Sequence, residues 1–206
     1  MPNPITTNVL VIGGGPGGYV AGIRAGQLGL DTILVDNGPL GGCCLNVGCI
    51  PSKALIHVAD EFHKISHMQN GSQIGITAGA AVLDLGKTVE WKNGIVGRLN
   101  KGVDGLLKKA KVQVIRGWAT FIDGKTVRVQ TDEGHQDIRA RNIIIASGSS
   151  SVELPSMPFS EDVLSSTTAL ELAEVPKTLA VVGGGYIGME LGTAMAKLGA
   201  KVTVVE

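Results

Sequence analysis

A strand, a glycine string, a helix and a second strand ending at an acid occur in that order twice in this chain. The first copy is Asn8–Ile12, then Gly13-Gly14-Gly15-Pro16-Gly17-Gly18, a helical pattern over Tyr19–Leu28, and Thr32–Val35 ending at Asp36. The second is Leu179–Val182, then Gly183-Gly184-Gly185-Tyr186-Ile187-Gly188, a helix to Leu198, and Val202–Val205 followed by Glu206. Gly13, Gly15 and Gly18, and again Gly183, Gly185 and Gly188, hold the G-x-G-x-x-G spacing. The first glycine permits a tight turn, the second lets the backbone approach a pyrophosphate at the helix N-terminus, and the third lets helix and strand pack closely. In both copies the acid stands 18 residues past the third glycine, placed to accept from ribose hydroxyls. A glycine string alone is weak evidence and is compatible with a turn that binds nothing. With the strand, the helix and the acid in place it reads as a dinucleotide-binding βαβ unit. Glu206 favours an unmodified 2′-hydroxyl, hence NAD rather than NADP. Two such sites imply two cofactors that exchange electrons, and spacing alone does not say which is a flavin.

Between the two copies, Pro51 suits the first turn of a helix running through Ala59 to about Met68. Residues 70–82 read as a loop and Leu85–Lys109 as a long helix. Val112–Ile115, Ala119–Ile122 and Thr126–Gln130 read as strands, the last two joined by an Asp123-Gly124 hairpin turn. Asn142–Ala146 is a short strand ending in Ser147-Gly148. A Ser- and Pro-rich connector, Ser149–Phe159, and a capped short helix, Ser165–Leu172, lead to the second copy. The fold expected is α/β: a dinucleotide-binding domain over residues 1–148 and the start of a second one over 149–206. Two parallel strands with one crossover do not make a stable sheet. The chain is therefore expected to be the N-terminal part of a longer protein.

Formal net charge is zero over 206 residues, so nothing steers the chain toward nucleic acid or an anionic membrane. No leader segment is visible, and the longest apolar stretch, Leu179–Ala196, carries glycines and Glu190, which argues against a membrane span. All three cysteines fall within seven residues: Cys43, Cys44 and Cys49. This is not the pattern of a secreted disulfide framework, and a cytoplasmic location is expected. In such a setting a cluster of this kind is catalytic or metal-binding. Cys49 stands just ahead of the helix that begins near Pro51, whose positive end favours a thiolate. Cys44 can reach it if the intervening residues turn back. A structural disulfide and a zinc site drawing on His57 as fourth ligand are the alternatives; adjacent Cys43 and Cys44 fit poorly around one tetrahedral ion.

The run Gly41-Gly42-Cys43-Cys44-Leu45-Asn46-Val47-Gly48-Cys49-Ile50-Pro51-Ser52-Lys53 resembles the redox-disulfide motif of the flavin-dependent pyridine nucleotide–disulfide oxidoreductases. Ala146-Ser147-Gly148 and Gly183–Glu190 match that family's later motifs in order. Leu45-Asn46 and the Ile-Pro-Ser-Lys-Ala-Leu that follows Cys49 are most similar to the members that oxidise dihydrolipoyl groups. Glutathione-type reductases typically carry Val for Leu45 and a second Lys for Ser52; mercuric reductases are closer, and both remain alternatives. The resemblance implies that the first βαβ binds FAD and the second NAD. Cys49 would lie against the flavin and form the charge-transfer thiolate, and Cys44 would exchange with the lipoyl sulfur, the two forming the redox disulfide. Lys53 would sit near the flavin and pair with Glu190. Gly42 and Cys43 would lie at the FAD phosphates, and Gly117 and Ala119 would contact the adenine end. Ala146, Ser147 and Gly148 would line the FAD site, and Tyr186 would cover the nicotinamide side of the flavin. The partners implied are the lipoyl domain of a 2-oxo acid dehydrogenase complex and a second copy of the chain in a homodimer.

Two departures qualify the match. Cys43 stands where the family usually has Thr, and is read as a tolerated small residue. The family's C-terminal half, with its His–Glu acid–base pair and dimer interface, is not in this sequence. None of His57, His63, His67 or His135 substitutes for that pair; all four read as solvated surface residues. The chain by itself is accordingly expected to be an inactive FAD-binding fragment.

Overall fold

A computed structural model describes residues 4–206. In chain order the elements are β1 (Ile5–Ile12), α1 (Pro16–Gln27), β2 (Thr32–Asp36), α2 (Gly42–Val47), α3 (Cys49–His67), α4 (Leu85–Lys109), β3 (Gln113–Arg116), β4 (Trp118–Phe121), β5 (Thr126–Thr131), β6 (Gly134–Ile145), α5 (Ser166–Ala169), β7 (Thr178–Val182), α6 (Tyr186–Lys197) and β8 (Lys201–Val205). They form two compact units, each drawn from two stretches of chain. One comprises the chain up to Asn46 with Gly97–Ser150, the other Val47–Val96 with Ser151–Glu206. The sequence reading divides the chain once, at 148/149. The stretch from Val47 to Val96 instead groups with the C-terminal part, because the apolar face of α3 shares a core with α6.

The first unit is built on a six-stranded sheet of order β3-β2-β1-β6-β5-β4. β1, β2, β3 and the second half of β6 are parallel, while β4, β5 and the first half of β6 form an antiparallel meander. Val9, Leu10 and Val11 are all buried, the continuous apolar run of a strand covered on both faces. Val127 and Val129 of β5 pack with Ile138 and Ala140 of β6 onto Leu10, Ile33 and Val35, so the meander folds back over one face of the parallel strands. From β1 the chain passes through α1 to β2 on one side, whereas β6 pairs with β1 on the other. The carboxyl ends of β1 and β6 thus flank a topological switch point, where open α/β sheets bind ligands.

β6 is more than twice as long as expected. Its first half, Gly134–Arg139, polar but for Ile138, pairs with β5 in antiparallel register, and His135 lies opposite Gln130. α5 is shorter than the segment read as Ser165–Leu172. Ser165 and Thr168 form a reciprocal capping box, but the helix ends at Ala169 and the buried Leu170 follows.

In the second unit β7 and β8 pair in parallel, Thr178 opposite Lys201 through Val182 opposite Val205, joined by α6. Leu55 and Ala59 of α3, Leu85 of α4, Leu170, and Leu191, Ala194 and Met195 of α6 share one core with Leu198 and Ala200. The run Gly42–His67 is long and apolar enough for a membrane span by length and composition alone. It is broken at Gly48 into α2 and α3, and α3 buries Pro51, Ser52, Ala54, Leu55 and Ala59.

Candidate functional site: two glycine loops and a thiol-bearing helix

The first glycine loop is fixed by contacts that leave no room for side chains. The Gly13 N–H donates to the Val35 carbonyl at 2.8 Å, and Gly13 has φ +104°, which favours glycine. A Cβ on Gly18 would lie 1.7 Å from the Gly13 carbonyl oxygen, so the third glycine is what lets α1 start directly under β1. The Ala146 carbonyl seats over Gly13, and the Ala146 N–H donates to Ile12 at 2.7 Å. Ser147 and Gly148 follow, exposed, beyond the end of β6.

A second loop is zipped onto the first. The Gly41 N–H donates to the Gly14 carbonyl at 2.8 Å. Gly42 lies so close to Gly15 that a Cβ on Gly42 would be 2.5 Å from the Gly15 Cα. Asn46 holds this arrangement: its amide donates to the carbonyls of Pro39 (3.3 Å), Leu40 (3.0 Å) and Gly42 (2.9 Å). Asn100 of α4 donates to the Leu40 carbonyl and to Asn46 Oδ1. Asn46 enters the sequence motif with Leu45, without this clamping role, and Asn100 does not enter it. The signal for Asn46 is an amide one helical turn past Gly42; Asn100 carries none.

Asp36 closes the first loop. Its Oδ2 accepts from the Gly14 N–H and its Oδ1 from the Gly38 N–H at 2.6 Å. The carboxylate therefore stiffens the loop, and each oxygen retains a lone pair for a ribose hydroxyl. Gly117 packs beside it: its N–H donates to the Asp36 carbonyl at 3.1 Å, leaving only its own carbonyl for a ligand. Ala119 sits in β4 opposite Val129 and packs on the core.

The Gly183–Gly188 loop repeats three of these bonds. Gly183 donates to Val205 at 2.8 Å, Met189 donates to Gly185 at 3.0 Å as Tyr19 does to Gly15 at 2.9 Å, and Glu206 accepts from the Gly184 N–H as Asp36 does from Gly14. A Cβ on Gly188 would lie 2.8 Å from Val181 Cγ1 and 2.9 Å from the Gly183 oxygen. The N-caps of α1 and α6 are Gly15 and Gly185, and neither helix has a side chain bonded to its first turn. Bare backbone facing an uncapped helix start, with an acid at the next strand end, suits a dinucleotide pyrophosphate and ribose. The residues present thus fit a dinucleotide at each loop, in keeping with the two cofactors, FAD and NAD, of the family.

Cys43 and Cys44 lie on α2, Cys43 exposed and Cys44 half-buried. Cys49 is exposed and is the first residue of α3, earlier than the start near Pro51 expected from the sequence. Gly48 is the N-cap of α3, and the Ser52 N–H donates to the Gly48 carbonyl at 3.0 Å to begin that helix. One turn on, Lys53 Nζ donates to Glu190 Oε1 at 2.7 Å and Oε2 at 2.6 Å. That hydrogen bond, more than the nearby Cys49 and Tyr186, holds the Lys53 ammonium above its ordinary pKa. Tyr186, the first residue of α6, is largely exposed.

Two further ion pairs in this unit have no counterpart in the sequence reading. Lys197 reaches Asp60 at 2.5 Å, and Lys92, 1% exposed, reaches Glu171 at 2.5 Å. His57, His67 and His135 are exposed; His63 is half-buried with its ring 4.0 Å from that of His67. Among the described residues no group of three or more His, Cys, Asp or Glu is placed to hold a metal ion.

The sequence matches the family model described as pyridine nucleotide-disulphide oxidoreductase over residues 7–206. It is 55% identical to a dihydrolipoyl dehydrogenase of Pseudomonas aeruginosa over 207 residues, covering 100% of this chain and 45% of that protein. A dihydrolipoyl dehydrogenase of Geobacillus stearothermophilus is 52% identical, over 98% of this chain and 42% of the relative. Among solved structures, LpdA of Mycobacterium tuberculosis superposes with a TM-score of 0.86 at 25% identity, over 96% of this chain and 44% of that one. A HOCl-induced flavoprotein disulfide reductase of Escherichia coli superposes with a TM-score of 0.82 at 30% identity, over 98% and 42%. The chain spans less than half the length of the curated relatives it matches.

Proposed function

Since this chain belongs to the pyridine nucleotide-disulphide oxidoreductase family, we propose that the whole protein oxidises protein-bound dihydrolipoamide and reduces NAD. The observation that carries this reading is the pair of glycine loops with matching bonds, each with its own acid, in a chain whose thiols lie on α2 and at the first position of α3. The identity to dihydrolipoyl dehydrogenases supports the substrate.

The first glycine loop serves FAD and the loop Gly183–Gly188 begins the NAD-binding part. Gly13, Gly15, Gly18 and Gly42 admit the FAD pyrophosphate, Asp36 takes the ribose, and Ala146-Ser147-Gly148 line the same strand ends. Gly183, Gly185, Gly188 and Glu206 do the same for NAD. A lipoyl thiolate attacks Cys44 of the Cys44–Cys49 disulfide, making a mixed disulfide and releasing Cys49 as thiolate. The second lipoyl sulfur then displaces Cys44, closing the lipoyl disulfide and leaving the protein dithiol. Cys49, the first residue of α3, is the sulfur released in this exchange. Lys53, held by Glu190, supplies a fixed cation one turn further on. FAD and NAD, when bound, carry the two electrons away, so each turnover converts dihydrolipoamide and NAD⁺ to lipoamide, NADH and one proton. The partners are a lipoyl domain of a 2-oxo acid dehydrogenase complex and a second copy of the protein. The location is the cytoplasm, where other thiols stay reduced.

The test is steady-state turnover by the full-length, FAD-loaded protein. Dihydrolipoamide-dependent NAD reduction is expected. Turnover with glutathione disulfide or Hg(II) and none with dihydrolipoamide would replace this reading.

A further inference from the structure

α3 and α6 are joined by two rungs of opposite polarity. Lys53 of α3 meets Glu190 of α6, and Asp60 of α3 meets Lys197 of α6. Both rungs span the same separation, 137 residues. Each helix therefore advances by seven residues between rungs, about 10.5 Å. The helices run in the same direction and in one register.

The charge order makes that register unique. α3 carries plus then minus, α6 minus then plus. An antiparallel packing would set Lys53 against Lys197 and Asp60 against Glu190, four charges in two repulsive pairs. A slide of one turn would break both rungs at once. Between the rungs lie Leu55, Ala59, Leu191, Ala194 and Met195, a core whose attraction is non-directional. Apolar contact alone holds α3 to α6 without choosing among these arrangements. The Asp60 carboxyl is held below its ordinary pKa, first by the Lys197 hydrogen bond, so this rung stays charged at neutral pH.

We infer that the Asp60–Lys197 pair is a positioning device that keeps α3 in register on α6 and thereby sets the placement of Lys53 and Cys49 in the first turn of α3. The consequence for turnover rests on the reaction proposed above; the coupling between the two rungs does not.

Two readouts separate these. In the full-length, FAD-loaded protein, lysine side-chain NMR follows the titration of Lys53 in Asp60→Asn, Asp60→Lys, Lys197→Asp and the double exchange Asp60→Lys/Lys197→Asp. Loss of the far rung is expected to bring Lys53 down toward its ordinary value, and the double exchange to restore it. In parallel, kcat with dihydrolipoamide is expected to fall about tenfold in the single reversals, with KM for NAD within about twofold, and to recover in the double exchange. A Lys53 titration that stays put in Asp60→Asn overturns the inference, and so does a drop in melting temperature with Lys53 and kcat unmoved, which marks a purely structural bridge. If the unaltered protein shows no turnover while Lys53 still follows the far rung, the proposed reaction fails and the inference stands.

Discussion

Lys53 and Glu190, 137 residues apart in sequence, meet end to end: the lysine Nζ donates to one carboxylate oxygen at 2.7 Å and to the other at 2.6 Å. The lysine is held above its ordinary value of 10.5 chiefly by this bond. The pair's contribution is therefore complete below the ordinary lysine range and is lost as pH rises through the raised value. Glu190→Gln should return Lys53 to an ordinary titration, read by lysine side-chain NMR. A Lys53 unmoved by that change would mean that another group holds its proton.

The glycines of the two loops separate into those that fit the fold and those that face open space. A Cβ at Gly18 would strike the Gly13 carbonyl at 1.7 Å, backbone that cannot rotate away. Gly18→Ala should cost about 3 kcal/mol of stability, at the upper end of overpacking effects. A Cβ at Gly185 meets nothing within 4 Å, and the backbone there has φ −65°, which alanine adopts. Gly185→Ala should change stability by less than about 0.5 kcal/mol, yet weaken NAD binding about tenfold by standing where the pyrophosphate approaches. Denaturant unfolding and NAD titration of the same two variants check both halves. Equal effects on stability and on NAD would contradict the assignment.

Asn46 is the clamp on the loop that carries Gly42. Asn46→Ala removes an amide whose two N–H groups are shared among the Pro39, Leu40 and Gly42 carbonyls and whose oxygen accepts from Asn100. At about 1 kcal/mol net for each well-made bond, FAD should dissociate at least tenfold more readily. Flavin fluorescence on dilution measures this, and unchanged retention of FAD would show that the loop holds its shape without the clamp.

The βαβ units were legible because each rests on local chemistry: an apolar strand, glycines at fixed spacing, and an acid at the next strand end. The β4–β5 hairpin was equally open to reading, with Asp123-Gly124 at its turn. What escaped is non-local. The first half of β6 is polar, so its pairing with β5 shows only once that strand is in place. α2 hides behind Gly-Cys-Cys-Leu-Asn, a composition that reads as loop. The Asp60–Lys197 rung is written in the sequence only as a repeat of the Lys53–Glu190 separation, which has meaning once two helices are known to touch. Lys92 stands at a position that gives no sign of burial.

That burial has a consequence of its own. The Lys92 side chain is 2% exposed and its partner Glu171 52%. Removing the carboxylate in Glu171→Gln leaves the buried Lys92 ammonium without its ion-pair partner. A loss of about 2 kcal/mol is expected, below the cost of breaking a fully buried pair because water reaches the glutamate side. Lys92→Met removes the charge as well and should cost less. Urea unfolding of the two variants checks the order, and a larger loss in Lys92→Met would mean that lysine packing rather than charge matters there.

In the proposed reaction Cys49 is the sulfur that faces the flavin and Cys44 the sulfur that faces the substrate. Anaerobic two-electron reduction of the full-length, FAD-loaded protein measures this most directly. A long-wavelength charge-transfer absorbance is expected in the unaltered protein and in Cys44→Ser, and should vanish in Cys49→Ser. An absorbance that persists in Cys49→Ser and vanishes in Cys44→Ser would reverse the two roles, and its absence from the unaltered protein would contradict a thiol–flavin relay altogether.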